Sequence, residues 1–295
     1  MKYLVLKGGL GNQLFQLAYF FYLKGKKNNE NLKLDLRSGF ILDFKYKRKL
    51  EISSLVNSKY ACTKYTSFIN LILIIINKYI PIIFKKTPVL FIKDKDYLKI
   101  SSKKINSFRY IIYDGYFQNS DFVNKSIDKI KSIFNKELNI NFSSNFIDLY
   151  KEIRSTKNSV ALCIRFYEET KDPKKHSNNL KSYKNVEDFN RKIVEIEKKV
   201  ESPTFYVFVQ NQNDFTKKLV FNSPYKFITH DFGYLGSWQR LLAQSYCNHH
   251  LFNNSTFYYW GSKFSNNQNM TLDPIIYATD NFLFQEIYES SWILF

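Results

Sequence analysis

The chain has 295 residues, 44% of them hydrophobic, with 44 Lys and Arg against 26 Asp and Glu and a formal net charge of +18. That length suits about two ordinary domains, and its apolar share excludes wholesale disorder, while 9 glycines and 6 prolines are too few for a fibrous chain. The positive excess attracts anionic partners such as nucleic acid, a membrane surface or a phosphorylated substrate, but no helix-turn-helix, zinc-finger spacing or regular basic stripe supports nucleic acid.

Residues 1–6 are apolar and run into Gly8-Gly9 without a cleavage-site pattern, so they read as a buried strand rather than a signal peptide. After the glycine turn Gly8-Gly9-Leu10-Gly11, residues 12–24 carry Leu14, Phe15, Leu17, Ala18, Phe21 and Tyr22 at helical spacing. Strand, glycine turn and helix open a doubly wound α/β domain. Residues 32–36 predict a second strand, and 89–92 and 110–113 two more. Between them lies an apolar run, 68–84, broken by Asn77, Lys78 and Pro81 and too short to span a bilayer. A buried core helix is the expectation there. The alternative is an apolar surface that rests on a membrane beside Lys85 and Lys86.

A second α/β pattern begins near residue 155. It predicts a strand over 159–164, an amphipathic helix over 186–200, strands over 205–209 and 225–229, a helix over 235–245 and a strand over 250–252. The last leads through Asn253-Asn254-Ser255-Thr256 into another helix. Such alternation predicts parallel sheets with ligands at the carboxyl ends of the strands. The boundary is placed in the Asn-, Ser- and Lys-rich stretch 140–158, giving domains 1–150 and 151–295. The three cysteines, Cys62, Cys163 and Cys247, are scattered and odd in number, which suits a reducing compartment and gives no disulfide or metal framework.

Four stretches could carry chemistry. The glycine turn lets a phosphate or sugar approach backbone at a helix N-terminus. Its spacing is neither a dinucleotide fingerprint nor a P-loop, and a plain tight turn is the alternative. Asn12 and Gln13 add two amides suited to hydroxyl and phosphate oxygens. In the stretch 161–169, Arg165 ends an apolar strand, where its planar fork suits a pyrophosphate. Glu168 or Glu169 could serve as general base, or could belong to a solvated loop. The stretch 253–261, NNSTFYYWG, is a helix N-cap signature that also presents hydroxyls and N–H groups to a diphosphate; its aromatic run reads as core. The stretch 115–118, GYFQ, by itself marks a strand end and turn.

Taken in this order and spacing, GGLGNQLFQLA, GYFQ, the strand-end Arg165 and NNSTFYYWG resemble the bacterial α-1,2-fucosyltransferases of glycosyltransferase family 11 over nearly the whole chain. The resemblance implies a GT-B α/β fold, two Rossmann-like domains facing across a cleft, with an acceptor-side N-terminal domain and a nucleotide-sugar-binding C-terminal one. It implies inverting, metal-independent transfer of L-fucose from GDP-fucose to the 2-hydroxyl of a galactose-like acceptor. The donor is a co-substrate, and no cofactor is implied. Arg165 and Glu168 would be catalytic. Gly9, Gly11, Asn12, Gln13, Cys163, Gln210, Asn254, Ser255, Thr256 and Phe257 would bind the donor. Tyr116 and Gln118 would face the acceptor.

The chain departs from the family at its central motif, His-x-Arg-Arg-Gly-Asp-Tyr, which here reads Cys163-Ile164-Arg165-Phe166-Tyr167-Glu168-Glu169. Gln210-Asn211-Gln212 also stands where an acidic pair is usual. Guanine presents N–H donors that favour a carboxylate, and an amide accepts them without charge assistance. A UDP-, dTDP- or other GDP-deoxysugar is therefore the alternative donor, and a non-catalytic glycan- or anion-binding protein the alternative class. The expected setting is cytoplasmic synthesis of surface glycan such as O-antigen, with an oligosaccharide or lipid-linked acceptor, peripheral contact with an anionic membrane, and no nucleic acid.

Other signals are read as structural. Asp94-Lys95-Asp96 has the form of a metal-binding DxD, but its lysine-rich setting makes it a solvated turn. His176, His230, His249 and His250 lack zinc spacing, and the last two are expected to be satisfied core histidines. No Ser-His-Asp elbow or kinase signature is present.

Overall fold

A computed structural model describes residues 1–27, 29–44, 46–94, 96, 107–137, 142–166, 185–230, 236–265, 273–281 and 285–295. The chain divides into two compact units, Met1–Asn139 and Ile140–Phe295. The division falls at the start of the stretch 140–158, earlier than 150/151, so that the helix Ser144–Ser155 stays whole in the second unit.

The first unit runs β1 (Lys2–Val5), α1 (Leu10–Lys24), β2 (Leu32–Asp35), α2 (Ser38–Ile41), α3 (Lys64–Tyr79), β3 (Val89–Ile92), β4 (Tyr110–Tyr113), α4 (Ser120–Asn124) and α5 (Ile127–Glu137). Its strands pair in parallel in the order β2-β1-β4-β3. Leu14, Phe15, Leu17, Ala18 and Phe20 of α1 are almost wholly buried, so this helix forms much of the core. Each of these Leu and Phe side chains is worth about 2 kcal/mol relative to exposure.

The run 68–84 is not the buried core helix expected. It divides between α3 and a 3-10 turn, Pro81–Lys86, and the buried residues of α3 are Ser67, Asn70 and Ile74. Its inner face docks largely through polar contacts. Asn70 donates to Asp35 Oδ2 at 2.8 Å and accepts from the Tyr110 hydroxyl at 2.7 Å. The apolar face is left outward, with Phe68 58% and Tyr79 71% exposed.

The second unit runs α6 (Ser144–Ser155), β5 (Ser159–Cys163), α7 (Val186–Lys199), β6 (Thr204–Phe208), β7 (Tyr225–Ile228), α8 (Ser237–Ser245), β8 (His249–Phe252), α9 (Thr256–Lys263), β9 (Ile276–Ala278) and β10 (Ile293–Leu294). The order β10-β9-β8-β5-β6-β7 is parallel throughout, with β5 and β8 adjacent at the point where the chain reverses direction across the sheet. That is the strand order of a dinucleotide-type α/β sheet. A capping box formed by Asn185 and Asp188 starts α7, which buries Phe189, Ile193 and Ile196 against Val160, Leu162, Phe205 and Val207. α6 belongs here because it packs on α8: Tyr150 meets Tyr246 edge-on at 4.6 Å, and the Ser143 hydroxyl bonds Gln239 at 3.2 Å.

Candidate functional site

In each unit, sequence-selected residues gather at the carboxyl ends of two neighbouring central strands, where open α/β sheets bind ligands.

In the first unit those strands are β1 and β4. Gly8 carries the turn after β1 at φ +79°, and a Cβ there would meet Asn12 at 2.9 Å and Tyr116 at 3.0 Å. The turn therefore requires Gly8, while Gly9, expected among the donor contacts, is the N-cap of α1 at φ −78°. A Cβ on Gly9 would have only Arg48, at 3.8 Å, in contact. Gly11 is buried inside α1.

Gln13 is fully buried, and its amide is spent on the scaffold. Nε2 donates to the carbonyls of Gly8 (2.8 Å) and Lys49 (2.9 Å), and Oε1 accepts from the amides of Glu51 (2.8 Å) and Ile52 (3.4 Å). These bonds use all four of its positions, so the expected donor-ligand role does not fit Gln13. Gln16 works similarly, accepting from Lys7 N–H at 3.0 Å and donating to Gly115 O at 2.9 Å.

Asn12 stays partly exposed and accepts from Gln118 Nε2 at 2.8 Å, which joins the glycine-turn motif to GYFQ. That junction depends on Phe117, held at φ +53° and fully buried. Its ring stacks on Tyr19 with centroids 4.2 Å apart, and its N–H donates to Asp94 Oδ1 at 2.6 Å. A left-handed non-glycine residue persists where its surroundings enforce it. Here the enforced turn sets Tyr116 against Gly8 and Gln118 against Asn12.

Asp94 is accordingly no solvated turn residue. Burial pushes its carboxyl up, although the Phe117 amide and Lys7 pull the other way. Lys7 pairs with Asp114 at 2.6 Å and lies 5.3 Å from the centre of the Tyr116 ring. Burial likewise raises the Tyr116 hydroxyl. Lys7 and Asp114 were missed because a lone charged residue just past a strand has no pattern of its own, and Asp94 was set aside because its lysine-rich neighbours look solvated.

In the second unit the strands are β5 and β8. Arg165 follows β5, and Asn253, directly after β8, holds its backbone from both sides. The Arg165 N–H donates to Asn253 Oδ1 at 2.8 Å, and Asn253 Nδ2 donates to the Arg165 carbonyl at 2.9 Å. Asn253 is thus the positioning asparagine of NNST. Its neighbour Asn254 donates to Asn281 O at 2.9 Å.

Ser255 is the N-cap of α9 without a side-chain cap bond, so Thr256 and Phe257 open a turn whose N–H groups their own serine leaves uncapped. The Tyr258 hydroxyl donates to Ile164 O at 3.1 Å, fixing α9 beside the end of β5. Tyr259 and Trp260 are fully buried, as the core reading of the aromatic run expects, whereas Phe257 is half-buried.

Cys163 is sealed in the core, where burial and nearby Cys247 push its thiol well up. It is a packing residue, and its expected place among the donor contacts does not fit. Gln210, after β6, accepts from His230 N–H through its carbonyl at 2.9 Å. Its side-chain Oε1 is buried and has no hydrogen-bond partner among the described residues. Arg240 of α8, which sequence reasoning passed over for want of a motif, donates to His230 O at 2.9 Å beside it. Glu168 and Glu169 lie outside the described residues. Among the described residues, no three His, Cys, Asp or Glu side chains form a group able to hold a metal ion.

No family model and no curated protein matches the chain. Among solved structures, it is similar to the crystal structure of POFUT1 in complex with GDP-fucose, at 13% identity and a TM-score of 0.39, over 93% of this chain and 97% of that one. It is also similar to a glycosyl transferase family 9 protein from Veillonella parvula DSM 2008, at 11% identity and a TM-score of 0.42, over 99% of this chain and 86% of that one. Likenesses this distant assign no activity.

Proposed function

We propose that the chain is an inverting glycosyltransferase of GT-B type that moves L-fucose from GDP-fucose to the 2-hydroxyl of a galactose-like acceptor. The observation that carries this reading is the placement of Arg165. It stands at the reversal point of a dinucleotide-type sheet, its backbone gripped by Asn253, beside the uncapped first turn of α9. A cation rooted on a fixed backbone, together with a helix N-terminus, suits a diphosphate.

In this reading the acceptor oxygen attacks the anomeric carbon as the bond to the diphosphate breaks. Arg165 and the N–H groups at Thr256 and Phe257 take up the charge on the leaving diphosphate without an obligatory metal. The acceptor proton passes to a carboxylate, for which Glu168 is the candidate. The buried acceptor of Gln210 receives an N–H of the base. Asn12, Tyr116 and Gln118 supply the hydroxyl-binding surface of the acceptor-side unit.

Gln210 also supports a second reading. One neutral acceptor suits the single ring N–H of uracil or thymine as well as it suits guanine, so a UDP- or dTDP-sugar fits the same frame.

Thermal unfolding with GDP, UDP, dTDP and CDP, each with and without EDTA, separates the two. A ligand that binds the folded state raises the midpoint by mass action. The first reading predicts a shift with GDP alone that survives EDTA. A shift with UDP or dTDP instead transfers the donor to the second reading, and no shift with any of the four contradicts both.

A further inference from the structure

The outward face of α3 and the 3-10 turn after it have no role in the proposed transfer. Tyr65, Phe68, Ile72, Ile75 and Tyr79 are exposed and line one side of the helix, and Ile82, 65% exposed, extends the surface around the corner. Monomeric soluble proteins seldom leave so much contiguous apolar surface uncovered.

The charges around this face have one sign. From Ile52 to Lys93 there is no Asp or Glu, and all six lysines of the stretch (Lys59, Lys64, Lys78, Lys85, Lys86 and Lys93) are exposed. Two of them, Lys64 and Lys78, lie toward the ends of the helix, and Lys85 and Lys86 close the 3-10 turn. An apolar ridge bracketed by lysines matches an interface of acyl chains beneath anionic headgroups.

The pattern fits a second copy of the chain less well. In a helix pair, the positions beside the seam carry charges that fix the partner. Here Ile69, Leu71 and Ile76 take three of those positions and Lys64 and Lys78 the other two, so the flanking charges all have one sign and give two copies no opposite charge to pair with. Among the described residues no helix is long and apolar enough to cross a membrane, so contact along the surface is the geometry available.

We infer that α3 and the turn Pro81–Lys86 form a docking surface for an anionic lipid bilayer, with the apolar face set into the headgroup boundary and the lysines on the phosphates. The inference rests on surface composition alone and does not depend on the proposed transfer.

The test is flotation of the full chain with vesicles of phosphatidylcholine containing a third phosphatidylglycerol, against vesicles of phosphatidylcholine alone. The chain should float with the anionic vesicles, and binding should drop at least about tenfold on the neutral ones or in high salt. Phe68→Gln with Ile75→Gln, and separately Lys85→Glu with Lys86→Glu, should each weaken binding by about tenfold or more. These side chains are exposed, so unfolding midpoints should stay unchanged. Absence of flotation overturns the inference, as does binding that ignores both pairs of substitutions. A dimer in light scattering that the Phe68 and Ile75 substitutions dissolve would assign the face to a second copy and overturn it too.

Discussion

Asn12 and Gln13 are adjacent amides with opposite employment. Gln13 is buried and fully bonded to backbone around Gly8 and residues 49–52, whereas Asn12 is partly exposed and touches Gln118. Removing a buried side chain that satisfies several backbone groups strands them, at about 1–3 kcal/mol per group. Gln13→Ala should therefore lower stability by at least about 2 kcal/mol in urea unfolding. Asn12→Ala should stay within about 1 kcal/mol of the parent and act on transfer kinetics instead. Equal midpoints for the two variants would contradict this division of labour. The sequence could show that both amides begin a helix after a glycine turn. It could not show which one the 49–52 loop claims, because that loop folds back from 36 residues away. The same limit hid Asn253, whose partner Arg165 is 88 residues away.

Among the elements, β8 carries an unusual load. His249 and His250 are buried in the middle of a parallel sheet. His249 Nδ1 accepts from Ile275 N–H at 3.0 Å, but its Nε2 and both ring nitrogens of His250 have no partner among the described residues. They are core histidines, as expected, but not satisfied ones. Burial lowers His249 to about 4 and His250 to about 3 from an ordinary 6.5. The folded state thus holds both rings neutral, and the unfolded chain binds more protons below 6.5. Stability from this source is full above about pH 6.5 and falls as the pH drops toward 4 and then 3. The urea midpoint should fall across that window, and His250→Leu should flatten the fall. A parent profile that stays level from neutral pH down to about 4 would contradict the neutral buried pair.

Most strands were legible because they are short apolar runs between turn residues; Val89–Ile92 and Tyr110–Tyr113 lie where their residues place them. β9 and β10 were not, since three and two residues carry no period. The orientation of α3 was not legible either. Composition makes it a good core helix, but the bonds of Asn70 to Asp35 and Tyr110 decide which face turns inward.

At the scale of the molecule, alternating strands and helices gave two parallel α/β units, while the order of strands within each sheet came only from the structure. That order is what turns scattered motifs into sites. It brings β1 beside β4, so that Gly8 and Asn12 meet Tyr116 and Gln118, and β5 beside β8, so that Arg165 meets Asn253. The net charge of +18 is not spread evenly, since the stretch 52–93 contributes six lysines and no acid. The most direct test of the account is release of GDP from GDP-fucose in the presence of oligosaccharides ending in galactose, by the parent chain and by Arg165→Ala. The parent should turn over, and Arg165→Ala should fold normally yet lose at least about a hundredfold, the scale expected when a preorganised transition-state charge is removed. Full turnover by folded Arg165→Ala would contradict the account at its centre.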